Sequence, residues 1–345
     1  MRIAMVAGSY PPDICGVGDY TSKLVEVLRS QNATVEVYSA DIDWSLLKTR
    51  KLAARITAAA PDVIHIQYPT TGYGYTLGPQ ALSLLLKPCA VTLHEVSQAH
   101  LLRRLSLYPF ALGAEQLIFT SDYEIDYALK WFPWAVSRSS VIPIGSFISS
   151  VVDVSTKDLD DIVYFGLIRP KKGLEEVIRL AYLVNSESLS LKVRIIGSVE
   201  PKHRSYLTQL QSSSVGLPVI WELNLPEQQV AGLLARSRVA YMPFPDGASE
   251  RRSSLLALLS NGVATVSTKA KFTSEMMSET LVIADTPEEA LGAIKCLLTD
   301  LRWRELLAQK SRDYVRRHEW SHIASQHLDL YREMLQDMQQ MRRPL

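Results

Sequence analysis

The segment Pro243-Phe244-Pro245-Asp246-Gly247-Ala248-Ser249-Glu250-Arg251-Arg252-Ser253-Ser254 gathers carboxylate, hydroxyl and guanidinium groups just before an apolar run at 255–261. That run reads as a helix, so the polar groups converge on a helix N-terminus. Two arginines there oppose the helix macrodipole unless an anion sits beside them. Local conflicts of this kind are expected at functional sites. A phosphate or diphosphate resolves this one, with Ser253 and Ser254 adding hydroxyls and N-terminal amides. The plain alternative is a polar surface loop. A second cationic loop, Phe165-Gly166-Leu167-Ile168-Arg169-Pro170-Lys171-Lys172-Gly173, sets three cations and two glycines between a strand and a helix. It suits an anion for the same reasons, against the alternative of a solvated basic turn.

Other features carry weaker chemistry. Ser9-Tyr10-Pro11-Pro12-Asp13-Ile14-Cys15-Gly16-Val17-Gly18-Asp19 joins the first strand to the first helix, and its glycines let backbone approach a ligand. Gly8 stands alone, with Gly16 eight residues later, so the dinucleotide fingerprint is absent. An ordinary turn and a binding loop are both open. His94-Glu95 follows the strand-like Ala90-Val91-Thr92-Leu93, but Gln98 breaks the zinc-protease pattern. His94 is either structural or set on a strand's carboxyl edge to face a cleft. Asp41-Ile42-Asp43 could hold a divalent metal between carboxylates and diphosphate, yet a helix N-cap at Asp43 explains it better, and no metal is expected. His65, His100, His203, His318, His322 and His327 form no ligand cluster by spacing and read as structural or exposed. Cys15, Cys89 and Cys296 form neither a disulfide framework nor a CxxC pair, as expected in a reducing cytoplasm.

These loops need elements to hold them. Strand-like runs at 2–7, 34–38, 62–68, 90–93, 116–120 and 140–144 alternate with helical stretches, the first at 19–30. Residues 149–160 are polar and without period, the best linker. The alternation then restarts with strands at 161–165, 191–196, 219–222, 238–243, 264–268 and 281–284, and helices at 174–184, 204–211, 226–235 and 254–260. Helical sequence closes the chain from 287 to about 341. Such alternation predicts parallel sheets covered on both faces, with ligands at the carboxyl ends of strands and a cleft between two halves.

Composition agrees. At 345 residues the chain is long enough for about two domains. It is 47% apolar and 21% charged, and 37 Lys plus Arg against 36 Asp plus Glu leave a net charge of +1. That balance excludes a bulk nucleic-acid binder, which carries a strong basic excess. The apolar start, Met1-Arg2-Ile3-Ala4-Met5-Val6-Ala7, is too short for a signal peptide or a membrane span. A soluble, cytoplasmic protein is expected. Lys48, Arg50, Lys51 and Arg55, with Arg103 and Arg104, read as a solvated helix face, with attraction to an anionic membrane face as the alternative.

At these residues the sequence resembles the retaining glycosyltransferases of GT-B family 4, the glycogen-synthase-like sugar transferases. The resemblance covers nearly the whole chain. Its motifs are Pro11-Pro12 and Gly16-Val17-Gly18-Asp19-Tyr20-Thr21, His94, Val141-Ile142-Pro143-Ile144-Gly145, the loop at 166–173, and Gly262-Val263-Ala264-Thr265-Val266. It implies an α/β GT-B fold: two facing doubly wound Rossmann-like domains with a C-terminal helix packing across both. The implied parts are 1–150 for the acceptor, 151–320 for the nucleotide-sugar, and a helix at 321–345 crossing back to the first. Arg169 and Lys172 match the family's pair that neutralises the leaving diphosphate. The family's two glutamates would fall at Ser249 and Ala257; Glu250 is displaced by one, and nothing replaces the second, which in relatives contacts the ribose. The segment instead looks like a subgroup with Ser-x-Arg-Arg-Gly-x-Leu-Leu, matched by Ser249, Arg251, Arg252, Ser253, Leu255 and Leu256. The family's glycine after Val219-Ile220-Trp221 is absent, with Leu223 there.

The implied reaction is transfer of a hexosyl unit, with retention, from a nucleoside diphosphate sugar (UDP-glucose first) to a saccharide or lipid-linked acceptor in polysaccharide biosynthesis. His94, Arg169, Lys172 and Glu250 are the implied catalytic groups. Gly16, Arg169, Lys172, Arg252, Ser253 and Ser254 would cradle the diphosphate. His94, Asp246, Gly247, Ala248 and Ser249 would meet the donor sugar, and Gly197, Asn224 and Leu225 the nucleoside. Val17, Gly18 and Asp19 would lie on the acceptor side. The departing phosphate takes the acceptor proton in this class, so no protein base and no cofactor beyond the co-substrate are implied. Two rivals share the architecture: a binding protein that clamps a phosphorylated sugar, and a nucleotide-sugar epimerase. A Rossmann dehydrogenase is disfavoured by the missing fingerprint.

Overall fold

A computed structural model of the chain describes residues 1–13, 15–39, 42–148, 157–271 and 273–341. The chain divides into two compact units, Met1–Gly145 with Glu319–Leu345, and Ser146–His318. The sequence placed these divisions at 150/151 and 320/321. Most of the expected linker, residues 149–156, lies outside the described residues.

The first unit is built on strands β1 (Arg2–Ala7), β2 (Thr34–Tyr38), β3 (Val63–Tyr68), β4 (Cys89–Leu93), β5 (Gln116–Phe119) and β6 (Ser139–Val141). They form one parallel sheet in the order β2-β1-β3-β4-β5-β6. Every residue of β3 and β4 is buried, as a parallel sheet covered on both faces requires. The run expected to continue to 144 stops at Val141; Pro143 lacks the N–H that a further ladder bond needs. Helices α1 (Gly16–Ser30), α2 (Leu46–Ala58), α3 (Gly78–Leu85), α4 (Leu101–Leu105), α5 (Tyr108–Gly113) and α6 (Asp122–Leu129) connect the strands. α1 buries Tyr20, Leu24, Val25 and Leu28, one stripe at helical spacing. It begins three residues earlier than its periodicity suggested, because Gly16 and Gly18 add no apolar stripe to mark the first turn. Gly18 has to be a glycine: a Cβ there would lie 2.9 Å from the Ser9 carbonyl oxygen.

The second unit repeats the plan with β7 (Leu159–Phe165), β8 (Val193–Gly197), β9 (Val219–Leu223), β10 (Ser237–Met242), β11 (Ala264–Ser267) and β12 (Leu281–Ile283), ordered β12-β11-β10-β7-β8-β9 and all parallel. Its helices are α7 (Leu174–Ser186), α8 (Arg204–Ser213), α9 (Glu227–Arg236), α10 (Ser253–Ser260), α11 (Glu275–Ser278), α12 (Pro287–Thr299) and α13 (Leu301–Val315). α10 is a core helix, with every residue from Leu255 to Leu259 at 0% exposure.

The closing helical tract holds three helices. Asp300 ends α12 and caps α13, its carboxylate accepting from Trp303 N at 2.9 Å. After a short turn at Arg316–His318 the chain returns to the first unit as α14 (Trp320–Met341). The helix expected at 321–345 is α14, which lies on α1 in the first unit, while α13 lies on α10 in the second. No helix among the described residues is long and apolar enough to cross a membrane.

Candidate functional site

In the second unit β7 is the first strand, with β8 and β9 on one side and β10 to β12 on the other. The chain therefore reverses direction across the sheet between β7 and β10, the switch point where open α/β sheets bind ligands. Both cationic loops leave carboxyl ends there: 166–173 after β7 and 243–252 after β10. Glycines let them close up. Gly173 has φ of 80°, and a Cβ on it would lie 1.9 Å from the Pro243 carbonyl oxygen; one on Gly166 would lie 3.6 Å from Ser254 Oγ.

The cations are crowded. Burial pushes Lys172 down to about 8, helped by Arg169 and Arg252 and opposed by Asp246. Arg252 is held over the Phe244 ring, 4.0 Å from its centroid, donates Nε–H to the Gly247 carbonyl at 3.1 Å, and pairs with Asp246. Burial, and then Arg251, lower its own affinity for a proton. Ser253 and Ser254 are the first two residues of α10, directly after its N-cap Arg252. Charges of one sign beside a helix N-terminus are an arrangement suited to an anion.

The rest of the 243–252 loop is pinned from below. Gly247 has φ of 80°, and a Cβ there would meet Ala270 at 2.5 Å. Ala248 N donates to the Thr268 carbonyl at 2.9 Å, and Thr273 Oγ1 donates to the Ala248 carbonyl at 2.6 Å. Asp246 is exposed, while Ala248 and Ser249 are buried. Glu250 sits differently from the catalytic setting expected: its Oε1 accepts from Arg317 at 2.7 Å, Tyr314 at 2.9 Å and Ser274 at 3.0 Å. It anchors the loop to the end of α13. Ala257 is fully buried inside α10, so its position faces the core. Gly197 and Asn224 meet at the adjacent ends of β8 and β9, where Asn224, at φ of 53°, donates its amide to the Gly197 carbonyl at 2.9 Å. Leu225 follows, partly buried.

In the first unit the switch point lies between β1 and β3. Ser9 Oγ bonds Thr71 Oγ1 at 2.9 Å and accepts from Gly72 N at 2.7 Å, joining the loops that follow those strands. Gly16, Val17, Gly18 and Asp19 are the first turn of α1, with Gly16 and Asp19 exposed. His94 lies at the carboxyl end of β4, 7% exposed. Burial, reinforced by His327, pushes it down to about 3, so the ring is neutral. His94 Nε2 donates to Gln67 Oε1 at 2.8 Å, and the Tyr20 ring meets it edge-on at 4.8 Å between centroids. Its loop is fixed by the buried Glu124, whose carboxylate accepts from Val96 N at 2.8 Å, Ser97 N at 2.9 Å and Ser97 Oγ at 2.6 Å.

Sequence reading missed Gln67, gave His65 only as structural or exposed, and missed Tyr331 and Glu124. The only trace of the first two is their i, i+2 spacing on β3, which puts them on one face. Nothing marked Glu124 or Tyr331 as partners of a residue so far away in the chain. Among the described residues no group of three or more His, Cys, Asp and Glu could hold a metal. Asp41 lies outside the described residues. Asp43 is not the N-cap of α2, a position held by Ser45; its Oδ1 accepts from Ser45 N at 2.9 Å.

Of the basic residues near the helices of this unit, Arg104 is turned over the Tyr127 and Trp131 rings and Arg55 over Tyr38. Lys48, Arg50 and Lys51 are exposed on α2 and Arg103 is half-buried on α4. The first turns of these helices expose Leu47 at 90% and Leu102 at 73%.

No protein-family model matches this sequence, and no curated protein matches it. Solved structures share its architecture. HepE of Anabaena, in complex with UDP and glucose, aligns with a TM-score of 0.66 at 14% identity, over 95% of this chain and 98% of its own. Sucrose-phosphate synthase of Thermosynechococcus elongatus aligns at 0.71 and 16% identity, over 98% and 100%. A glycosyltransferase of Rickettsia africae aligns at 0.74 and 11% identity, over 97% and 98%. The chain has the two-domain α/β GT-B fold of these proteins. At such identities the likeness is one of fold.

Proposed function

We propose that this chain is a retaining hexosyltransferase, taking its sugar from a nucleoside diphosphate donor and passing it to a saccharide or lipid-linked acceptor without a metal. The observation that carries this is the grouping of Arg169, Lys172 and Arg252 at the β7–β10 switch point, beside the N-terminus of α10. Departure of a diphosphate concentrates negative charge on its oxygens. Fixed cations and N-terminal amides stabilise that charge with little reorganisation. HepE, of like fold, is also solved with UDP-glucose, which makes that donor the first to try.

In this reading Arg169, Lys172, Arg252 and the amides of Ser253 and Ser254 hold the diphosphate. Asp246 to Ser249 supply contacts to the sugar, and Gly197, Asn224 and Leu225 lie toward the nucleoside. The first unit contributes His94 to the sugar and the first turn of α1, from Gly16 to Asp19, to phosphate and acceptor. The departing phosphate accepts the acceptor's proton, so each of these groups binds or orients and none serves as a general base. Polysaccharide synthesis on the cytoplasmic side is the setting proposed. The exposed leucines of α2 and α4, flanked by Lys48, Arg50, Lys51 and Arg103, suit an anionic membrane face better than a bare solvated helix.

Incubation with a mixture of nucleoside diphosphate sugars and a saccharide acceptor tests the proposal. Release of nucleoside diphosphate with formation of a glycoside supports it. Unchanged donor points to a sugar-phosphate binder, and an isomerised donor without acceptor consumption points to an epimerase.

A further inference from the structure

His94 is held through a continuous buried chain that ends on the C-terminal helix. Its Nε2 meets Gln67 Oε1 at 2.8 Å. The Gln67 amide nitrogen lies 3.2 Å from His65 Nε2, and His65 Nδ1 lies 2.5 Å from the Tyr331 hydroxyl. His65, Gln67 and Tyr331 are each 0% exposed. Thr92 Oγ1 completes the surroundings of His65, 2.7 Å from Nε2. One assignment of hydrogens satisfies every pair. With the Gln67 oxygen toward His94, His94 Nε2–H donates to Gln67, the Thr92 hydroxyl and the Gln67 amide share the single lone pair of His65 Nε2, the amide also reaching Met5 Sδ at 3.6 Å, and His65 Nδ1–H donates to Tyr331. Reversing any one member leaves two donors or two acceptors facing each other in a fully buried site, which costs a buried polar group its partner.

A second arm reaches the same ring. Tyr20 packs edge-on against His94 and is itself backed by Trp320 at 5.3 Å between centroids. Trp320 and Tyr331 are both on α14, at its first turn and in its second half. One helix thus fixes the hydrogen of His94 from one side and its ring plane from another.

We propose that Gln67, His65 and Tyr331 are positioning residues that lock His94 as the Nε2–H tautomer, leaving the Nδ1 lone pair to accept from a hydroxyl of the bound sugar. The sugar contact rests on the glycosyltransferase reading; the tautomer lock does not. His94 Nδ1 has no hydrogen-bond partner among the described residues, and its atom is not among the fully enclosed orphans. α14 therefore does more than cover α1: it sets which ring nitrogen of His94 faces outward as an acceptor.

The test is the tautomer itself, read by two-bond proton–nitrogen correlation on protein labelled at histidine nitrogen, with His94 assigned from the His94→Gln spectrum. The wild type is expected to carry its proton on Nε2. In Gln67→Leu the buried Nε2–H loses its acceptor, and the proton moves to the solvent-reachable Nδ1. Tyr331→Phe keeps the packing and removes only the acceptor for His65 Nδ1–H, and a growing fraction of Nδ1–H in His94 is expected. A wild-type His94 protonated at Nδ1 overturns the proposal, as does an unchanged Nε2–H pattern in folded Tyr331→Phe. A merely structural role would lower thermal stability in these variants and leave the tautomer alone. With a working donor assay, Tyr331→Phe should lower kcat at least about tenfold, since a misdirected contact acts on the transition state, while nucleoside diphosphate affinity changes less than about twofold. If the tautomer moves as predicted and no transfer is detected, the lock stands and the transferase reading fails.

Discussion

Arg252 lies over Phe244, 4.0 Å from the ring centroid, and pairs with the exposed Asp246 two residues beyond that ring along the same loop. The ring fixes the guanidinium plane and the carboxylate holds only part of its fork of five donors. Arg252 is itself the N-cap residue of α10, so its charge sits at that helix end. The conflict read from sequence, cations at the positive end of a helix, is real in the folded chain and is only partly relieved by Asp246.

That crowding makes nucleotide binding pH-dependent. In the free protein Lys172 titrates at about 8, held down by burial and by Arg169 and Arg252. A bound diphosphate favours the charged amine, so affinity is constant below pH of about 7 and falls as pH rises through about 8, by up to about tenfold per unit. Calorimetric titration with UDP at pH 7 and pH 9 measures it. Equal affinity at the two would contradict the assignment of Lys172 to the diphosphate.

Stability should fall in mild acid. His65, His94 and His327 are buried and held neutral, the first well below its ordinary value, His94 at about 3 and His327 at about 4. The unfolded chain binds protons that the folded chain excludes, so the stability present above pH of about 6.5 is lost as pH drops toward 4. Each histidine contributes a slope of about 1.4 kcal/mol per pH unit in that window. Urea unfolding at pH 7, 6 and 5 checks this. His327→Leu should flatten the dependence by one histidine's share; an unaltered slope would refute its part.

Glu250 is predicted to matter for the loop rather than for the chemistry. Glu250→Ala leaves the Tyr314 hydroxyl and Arg317 without their shared acceptor, at about 3 kcal/mol for a buried charged anchor. Glu250→Gln keeps an acceptor and should cost about 1 kcal/mol. Thermal unfolding ranks the two. At a temperature where Glu250→Gln is folded, its turnover should stay within about threefold of the wild type; a loss of a hundredfold would return Glu250 to the catalytic groups.

Much of this was legible in the sequence. The strand–helix alternation gave all twelve strands to within a few residues, because buried parallel strands are continuous apolar runs. The loops 166–173 and 243–252 were legible because glycine and like charges stand out against an apolar background. What was hidden shares one cause. Glu124, Gln67, Tyr331 and the Glu250 partners act through contacts between residues 24 to 266 positions apart. No local period encodes such pairs. The start of α1 was misplaced for a different reason: Gly16 and Gly18, the second required by its close approach to Ser9, hide the first turn of the helix from pattern reading.

Membrane contact is predicted from the first unit. Leu47 and Leu102 are exposed at 90% and 73% beside Lys48 and Arg103. Sedimentation with vesicles should show binding to those containing an anionic phospholipid and little to purely zwitterionic ones. Leu47→Ser with Leu102→Ser should weaken that binding about 100-fold, since each buried leucine contributes roughly 1.5 kcal/mol. Equal recovery with both vesicle types would remove the electrostatic part of the proposal.

The central claim is that Arg169, Lys172 and Arg252 receive a departing diphosphate. The most direct measurement is the rate of UDP release from UDP-glucose, with a saccharide acceptor pool, for the wild type and Lys172→Met side by side. Turnover by the wild type and a loss of about 100-fold to 1,000-fold in the variant, on the scale of one removed oxyanion donor, is the predicted result. Release of UDP by Lys172→Met at the wild-type rate would contradict it.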